Sequence, residues 1–397
     1  GQTYIGGGRL IVTSVLANSG TNSSIGTGAS SATIVLEGGT LTYNSGTART
    51  TNRPFQIIGS GTIEMAGNTT LTLQGGVTST GGTVTFNTSG GTGRTITVNT
   101  AAISLGAGGL IKTGTGNLNI NMASTYTGAT QIQQGTLTIG AANALPASTT
   151  LINNGTLNMN GNSVTVASIE GTTAGAAVRS NVAGAVTFTM NRASGTYNYQ
   201  GTIINGSGTV SVTKEGAYTQ VFGGNNTYTG NTEINGGILR ANSNTAFSNG
   251  SAHVLANVAG VELDMTGYDM TIASLAGGGA TGGLVRLGTA SLTLAGNASY
   301  TYSGRILGEG IGGGLIKQGT GVFTLARSPE YEGFTRINQG TLRAGVDLNF
   351  VGNLIISNTL TGRFDCASFA SAAPFLSFNS TRQAGGTWGG TSSSALN

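Results

Sequence analysis

The chain has 397 residues, of which 70 are glycine, 38% are apolar and 8% are charged, with a formal net charge of +4 at pH 7. One cysteine and four prolines exclude a disulfide scaffold and a collagen, and so many apolar residues with so little net charge exclude a charged disordered chain. No run of Lys or Arg marks a nucleic-acid surface, and no stretch nears the roughly 20 apolar residues of a membrane helix, so neither nucleic-acid binding nor membrane insertion is expected.

Along the chain the dominant signal is period-two alternation, the mark of half-buried strands. It appears in Leu41-Thr42-Tyr43, Val84-Thr85-Phe86, Ile96-Thr97-Val98, Leu118-Asn119-Ile120 and Leu137-Thr138-Ile139. It continues in Val186-Thr187-Phe188, Val210-Ser211-Val212, Leu292-Thr293-Leu294 and Phe323-Thr324-Leu325. No window has helical periodicity. Many strands open with Gly, often Thr, then an aliphatic residue. Gly39, Gly61 and Gly82 begin such runs 22 and 21 residues apart, and Gly135 and Gly155 do so 20 apart. A repeat of that length is one coil of a solenoid, with glycine and asparagine at the corners where φ turns positive.

A longer repeat overlies the short one. Lys112, Lys214 and Lys317 are the three lysines of the chain, and each is followed after 14 residues by Tyr126, Tyr228 or Tyr331. Eleven residues later stand Leu137, Leu239 and Leu342, and Gly128, Gly230 and Gly333 lie two residues after each tyrosine. The units are 102 and 103 residues apart. That unit length also suits an immunoglobulin-like sandwich, and pairs such as Asn154-Gly155 suit hairpins. Tandem sandwiches need linkers, which the sequence lacks, and they give no reason for a coil-length repeat inside each unit.

These motifs, at 108–139, 210–241 and 312–344, resemble those of the autotransporter-associated β-strand repeat proteins, whose pattern is G-G-L-x-K-x-G-x-G-x-L-x-L, then Y-x-G-x-T-x-I, then G-x-L. Glu215-Gly216-Ala217 departs from the usual Thr-Gly-Thr. The segment from Leu16 to Gly26 and the run Gly386-Thr387-Trp388-Gly389 resemble spacers of that family. The resemblance implies a right-handed parallel β-helix exported to the bacterial surface or medium, built by the motif and without catalysis. At coil length the chain makes roughly 17 to 19 coils, expected as one continuous solenoid over 1–397 with a divergent end at 345–397. No membrane barrel follows the repeats and no secretion signal opens the chain at Gly1; if complete, it is not a self-anchored autotransporter.

A solenoid exposes a sheet edge at each end, and the first run, Gly7 to Val12, is the end of a motif without its beginning. The expected function is therefore a non-enzymatic extracellular rod that stacks head to tail with copies of itself. The alternatives are a fragment of a longer passenger, or a solitary passenger that binds surface glycans as an adhesin. Each lysine is expected to bond carbonyls of its Gly-rich corner, and each tyrosine to pack at a corner; a ligand role for the lysines and sugar stacking by the tyrosines are the lesser readings. Glu262 and Asp264 stand two apart near Asp269, and Glu330 and Glu332 flank Tyr331. Paired carboxylates can serve glycoside hydrolysis or calcium, but solvated outer positions explain them. His253 has no nucleophile or acid beside it. Cys366 is expected to be a small buried group or an intermolecular bridge, and Trp388 a core residue or terminal anchor. Thr-x-Thr runs are found in ice-binding solenoids, yet any strand surface favours threonine. No metal or cofactor is expected.

Overall fold

The computed structural model describes residues 2–13, 32–310, 312–357, 361–374 and 376–378, and the backbone alone of 381–383 and 386–388. The spacer-like segment from Leu16 to Gly26, and the side chain of Trp388, lie outside the described residues. Among them every regular element is a strand. The fold is a parallel β-solenoid of about 15 turns, fewer than 17 to 19. The shortfall comes from long turns: Leu10 pairs with Leu41, and Phe86 with Lys112. Parallel pairing rules out tandem antiparallel sandwiches.

The chain packs as two compact units, Gly1–Asn191 with Tyr199–Thr209, and Arg192–Asn198 with Val210–Asn397. In the first unit each turn visits three parallel sheets in succession. Phe55–Ile58, Ser60–Met65 and Thr70–Leu73 make one such turn. Alternation along each strand turns every second side chain inward, and parallel in-register pairing stacks like upon like. Leu71, Ile96, Leu118, Leu137, Leu157, Val178 and Ile203 form one such column, and all are fully buried. Each contributes roughly 2 kcal/mol of burial, so the core is a set of aliphatic ladders, continuous from turn to turn. The outward partners in the same strands are Thr70, Thr95, Asn117 and Thr136, which need no counter-charge.

The second unit repeats this plan. One sheet runs from Thr209–Glu215 through Thr232–Ile234, Ala252–Leu255 and Ser274–Gly277 to Gly362–Asp365. A second includes Ile238–Ala241, Glu262–Asp264, Leu284–Gly288 and Arg305–Gly308. A third includes Ser291–Leu294, Gly314–Lys317, Phe334–Ile337 and Leu354–Ile356. Near the end the pattern changes: Thr381–Gln383 and Gly386–Trp388 fold back antiparallel on Leu376–Phe378 and Ser371–Ala373. Those backbones occupy the free edge of the last parallel strands, and a free edge is what strand-to-strand stacking of copies uses.

Candidate functional site

The three lysines stand in the core. Lys112 belongs to the strand Leu110–Thr113 and shares the inward face with Leu110, stacked between Phe86 and Ile132. It is fully buried. Its Nζ donates to the backbone carbonyls of Thr113 at 2.9 Å, Gly114 at 2.6 Å and Gln134 at 3.1 Å. Lys214 donates to Glu215, Gly216 and Gly236 at 2.8, 2.9 and 2.9 Å. Lys317 donates to Gly319 and, at 3.5 Å, to Gln339. An ammonium has three donors and no acceptor, and the coil corner presents carbonyls turned out of the sheet ladder. The two fit each other, with the aliphatic stem serving as a core side chain.

Glycine completes the corner. Gly135, Gly237 and Gly340 have φ of 70°, 60° and 72°, a region other residues enter at a cost. A methyl group on Gly135 would stand 2.8 Å from Nζ of Lys112. Burial lowers the lysine pKa values, to about 8 for Lys112 and Lys317 and about 7 for Lys214, where Glu215 works weakly in the opposite sense. The carbonyls replace water as acceptors but carry only partial charges, so the ammonium remains less well solvated than in water. The Glu215-Gly216-Ala217 departure leaves the carbonyl set intact. The difference lies at the next residue, Tyr218, whose ring centroid is 3.7 Å from Nζ of Lys214.

The tyrosines are equally buried. Tyr126 shares a hydrogen bond of 2.7 Å with Thr130, which shares one of 3.0 Å with Thr149, which donates to the Gly128 carbonyl at 2.8 Å. Tyr228, Thr232, Ser251 and the Gly230 carbonyl form the same relay at 2.6, 2.8 and 2.7 Å. In the third copy Tyr331 meets Thr335 at 2.6 Å. There Leu354 pairs with Thr335 where Thr149 and Ser251 serve the other copies, so the relay stops. Burial pushes the three phenols upward, Tyr228 to about 12, so they stay neutral donors. Leu137, Leu239 and Leu342 are fully buried members of the core columns. Gly128, Gly230 and Gly333 lie against the neighbouring turn, where a methyl group would stand 2.6, 2.8 and 2.6 Å from the carbonyl carbons of Gly108, Val210 and Gly313.

The carboxylates do not assemble an acid–base pair. Glu262 binds Arg286 at 2.8 Å and Asp264 binds Arg240 at 2.7 Å. Burial opposes ionisation of Asp264, but the Thr266 amide and Arg240 outweigh it and hold its carboxyl below the usual range. A glycosidase acid needs the opposite shift. Glu330 pairs with Arg305 at 2.7 Å and Arg327 at 3.4 Å, while Glu332 is exposed. Asp269 accepts from the Ser291 amide at 2.7 Å. No group of three or more His, Cys, Asp or Glu side chains is placed to hold a metal among the described residues. Cys366 is half-buried and is not in a disulfide among them. His253 is fully buried.

Sequence reasoning misses the threonines of the relay. The Tyr–Thr spacing of four in all three motifs is the signal that could find Thr130, Thr232 and Thr335. The hydroxyls of Thr149 and Ser251 become partners only when successive turns stack.

Comparison with known proteins agrees with this geometry. Residues 110–139, 212–241 and 315–344 each match the passenger-associated-transport-repeat family. Each match begins two residues before a core lysine and ends two residues after a core leucine. Over 86% of its length the chain is 33% identical to an autotransporter adhesin, BmaC, of Brucella suis biovar 1 (strain 1330), and it covers 12% of that relative. No solved structure matches the chain significantly.

Proposed function

Because the chain is a parallel β-solenoid that carries three passenger-associated-transport repeats and is homologous to an autotransporter adhesin, we propose that it is an adhesin-like passenger segment. In this reading it is displayed at the bacterial surface or secreted and has no enzymatic activity. The observation that carries it is the division of labour in the coil. The repeat residues are spent on the core, where lysines, tyrosines and leucines are all buried. Recognition is therefore left to outward side chains such as Thr95, Asn117 and Thr136 and to the ion-paired face around Arg240, Glu262 and Arg286. Surface glycans and host-cell surfaces are the partners in this reading. The relative is far longer than this chain, so contact with a target can also draw on segments beyond it. End-to-end stacking of copies receives no support from the comparisons.

Display of the folded chain on a non-adherent bacterial carrier tests the reading. Attachment to host cells or glycan-coated surfaces should rise several-fold over the bare carrier. Equal attachment, with display verified by antibody, contradicts it.

A further inference from the structure

The one histidine of the chain occupies a place that the first repeat fills with leucine. His253 pairs in register with Thr232 as Leu151 does with Thr130, and both side chains are fully buried. Its Nδ1 lies 3.2 Å from the Ser251 carbonyl, and its ring centroid is 5.7 Å from that of Phe247. A nitrogen facing a carbonyl must carry the proton, so the neutral ring has Nδ1–H and a bare Nε2. That Nε2 is buried without a hydrogen-bond partner. A second proton would create both a charge and a donor with no acceptor, in a site walled by Phe247, Thr232 and Leu275.

Nothing nearby compensates. The flanking strands Thr232–Ile234 and Ser274–Gly277 carry one titratable side chain between them, Glu233, which is exposed on the outer face. The turn from Ser243 to Ser251 carries none, and the Tyr228 phenol is neutral until about pH 12 and bonded to Thr232. Ser251, whose carbonyl holds Nδ1, also supplies the last hydroxyl of the Tyr228–Thr232 relay. Expulsion of the ring therefore disturbs the relay.

We propose that His253 is an acid-operated opening point: on acidification the turn Tyr228–Leu255 opens locally, while the equivalent turn of the first unit, Tyr126–Asn153, stays closed. Linkage gives the sign. Burial lowers the imidazole pKa from 6.5 to about 4. The open form therefore binds more protons than the closed form between those values, and closure weakens as pH falls through that window. Opening should be about 30-fold more favourable at pH 5 than at neutrality. The inference stands independently of the adhesin reading.

Two measurements on the full chain decide it. Hydrogen exchange, corrected for intrinsic rates, should show that rise at 232–234 and 252–255 but not at 130–132 and 150–153. His253→Leu, which installs the residue of the first repeat, should abolish it. An equal pH response in wild type and His253→Leu, or in both turns, overturns the proposal. A titration of the single imidazole by NMR needs no variant: a midpoint near pH 4 supports the proposal and a midpoint at 6 or above overturns it.

Discussion

Lys112→Met should destabilise the first unit by about 3 kcal/mol, read as a lowered urea midpoint in equilibrium unfolding followed by circular dichroism. Methionine fills the space of the stem, so little of the loss comes from packing. The loss comes from the carbonyls of Thr113, Gly114 and Gln134, which give up their shared donor in the interior. Relief from burying a charge works the other way, but removal of one side of a buried polar cluster is usually dominated by the partners left behind. The same substitution at Lys317, where the structure records two carbonyl bonds, should cost less. The lysines also set a pH signature. Their folded pKa values, about 7 to 8, lie below the ordinary 10.5. Across that interval the unfolded chain holds more protons, so stability rises with pH. Above about pH 10 the buried tyrosines reverse the trend, because the unfolded phenols ionise first.

Gly128→Ala should cost more than about 3 kcal/mol, whereas Gly175→Ala should fall within about 0.5 kcal/mol of wild type. The pair isolates inter-turn contact from glycine content. At Gly128 the added methyl meets the backbone of Gly108 and Gly109 on the neighbouring turn, and backbone held in a sheet ladder cannot swing aside. At Gly175 the methyl points into open space. Thermal unfolding of the two variants beside wild type measures the difference. Equal midpoints would mean that the turns are not stacked as closely at Gly128 as described.

Much of this fold is written in local pattern. Alternation in Leu118-Asn119-Ile120 assigns the inward face without any tertiary information, because a strand has one period. The equal spacing of Lys112, Lys214 and Lys317 marks them as one position of a repeat. Their inward direction is also encoded, since Lys112 shares its face with Leu110, but lysine seldom faces a core and its charge argues for a corner surface. The relay from Tyr126 through Thr130 to Thr149 spans 23 residues and becomes a contact only when successive turns lie side by side. The turn count is overestimated because long excursions, such as the one between Leu10 and Leu41, carry no alternation to measure. The antiparallel return of Thr381–Gln383 leaves no signature in three polar residues. His253 looks inert beside its sequence neighbours, whereas its environment comes from Thr232 and Leu275 on adjacent turns.

The central claim is that the repeat lysines are core components of the coil and not ligand-binding cations on its surface. With three lysines in the chain, an amine-reactive reagent at pH 8 followed by peptide mass spectrometry reads each one separately. Lowered pKa values leave a large share of these amines unprotonated and reactive at that pH, so slow labelling would report burial. In the folded protein, modification of Lys112, Lys214 and Lys317 should be on the order of 100-fold slower than in urea. Rapid, complete labelling of all three in the native state would contradict the account.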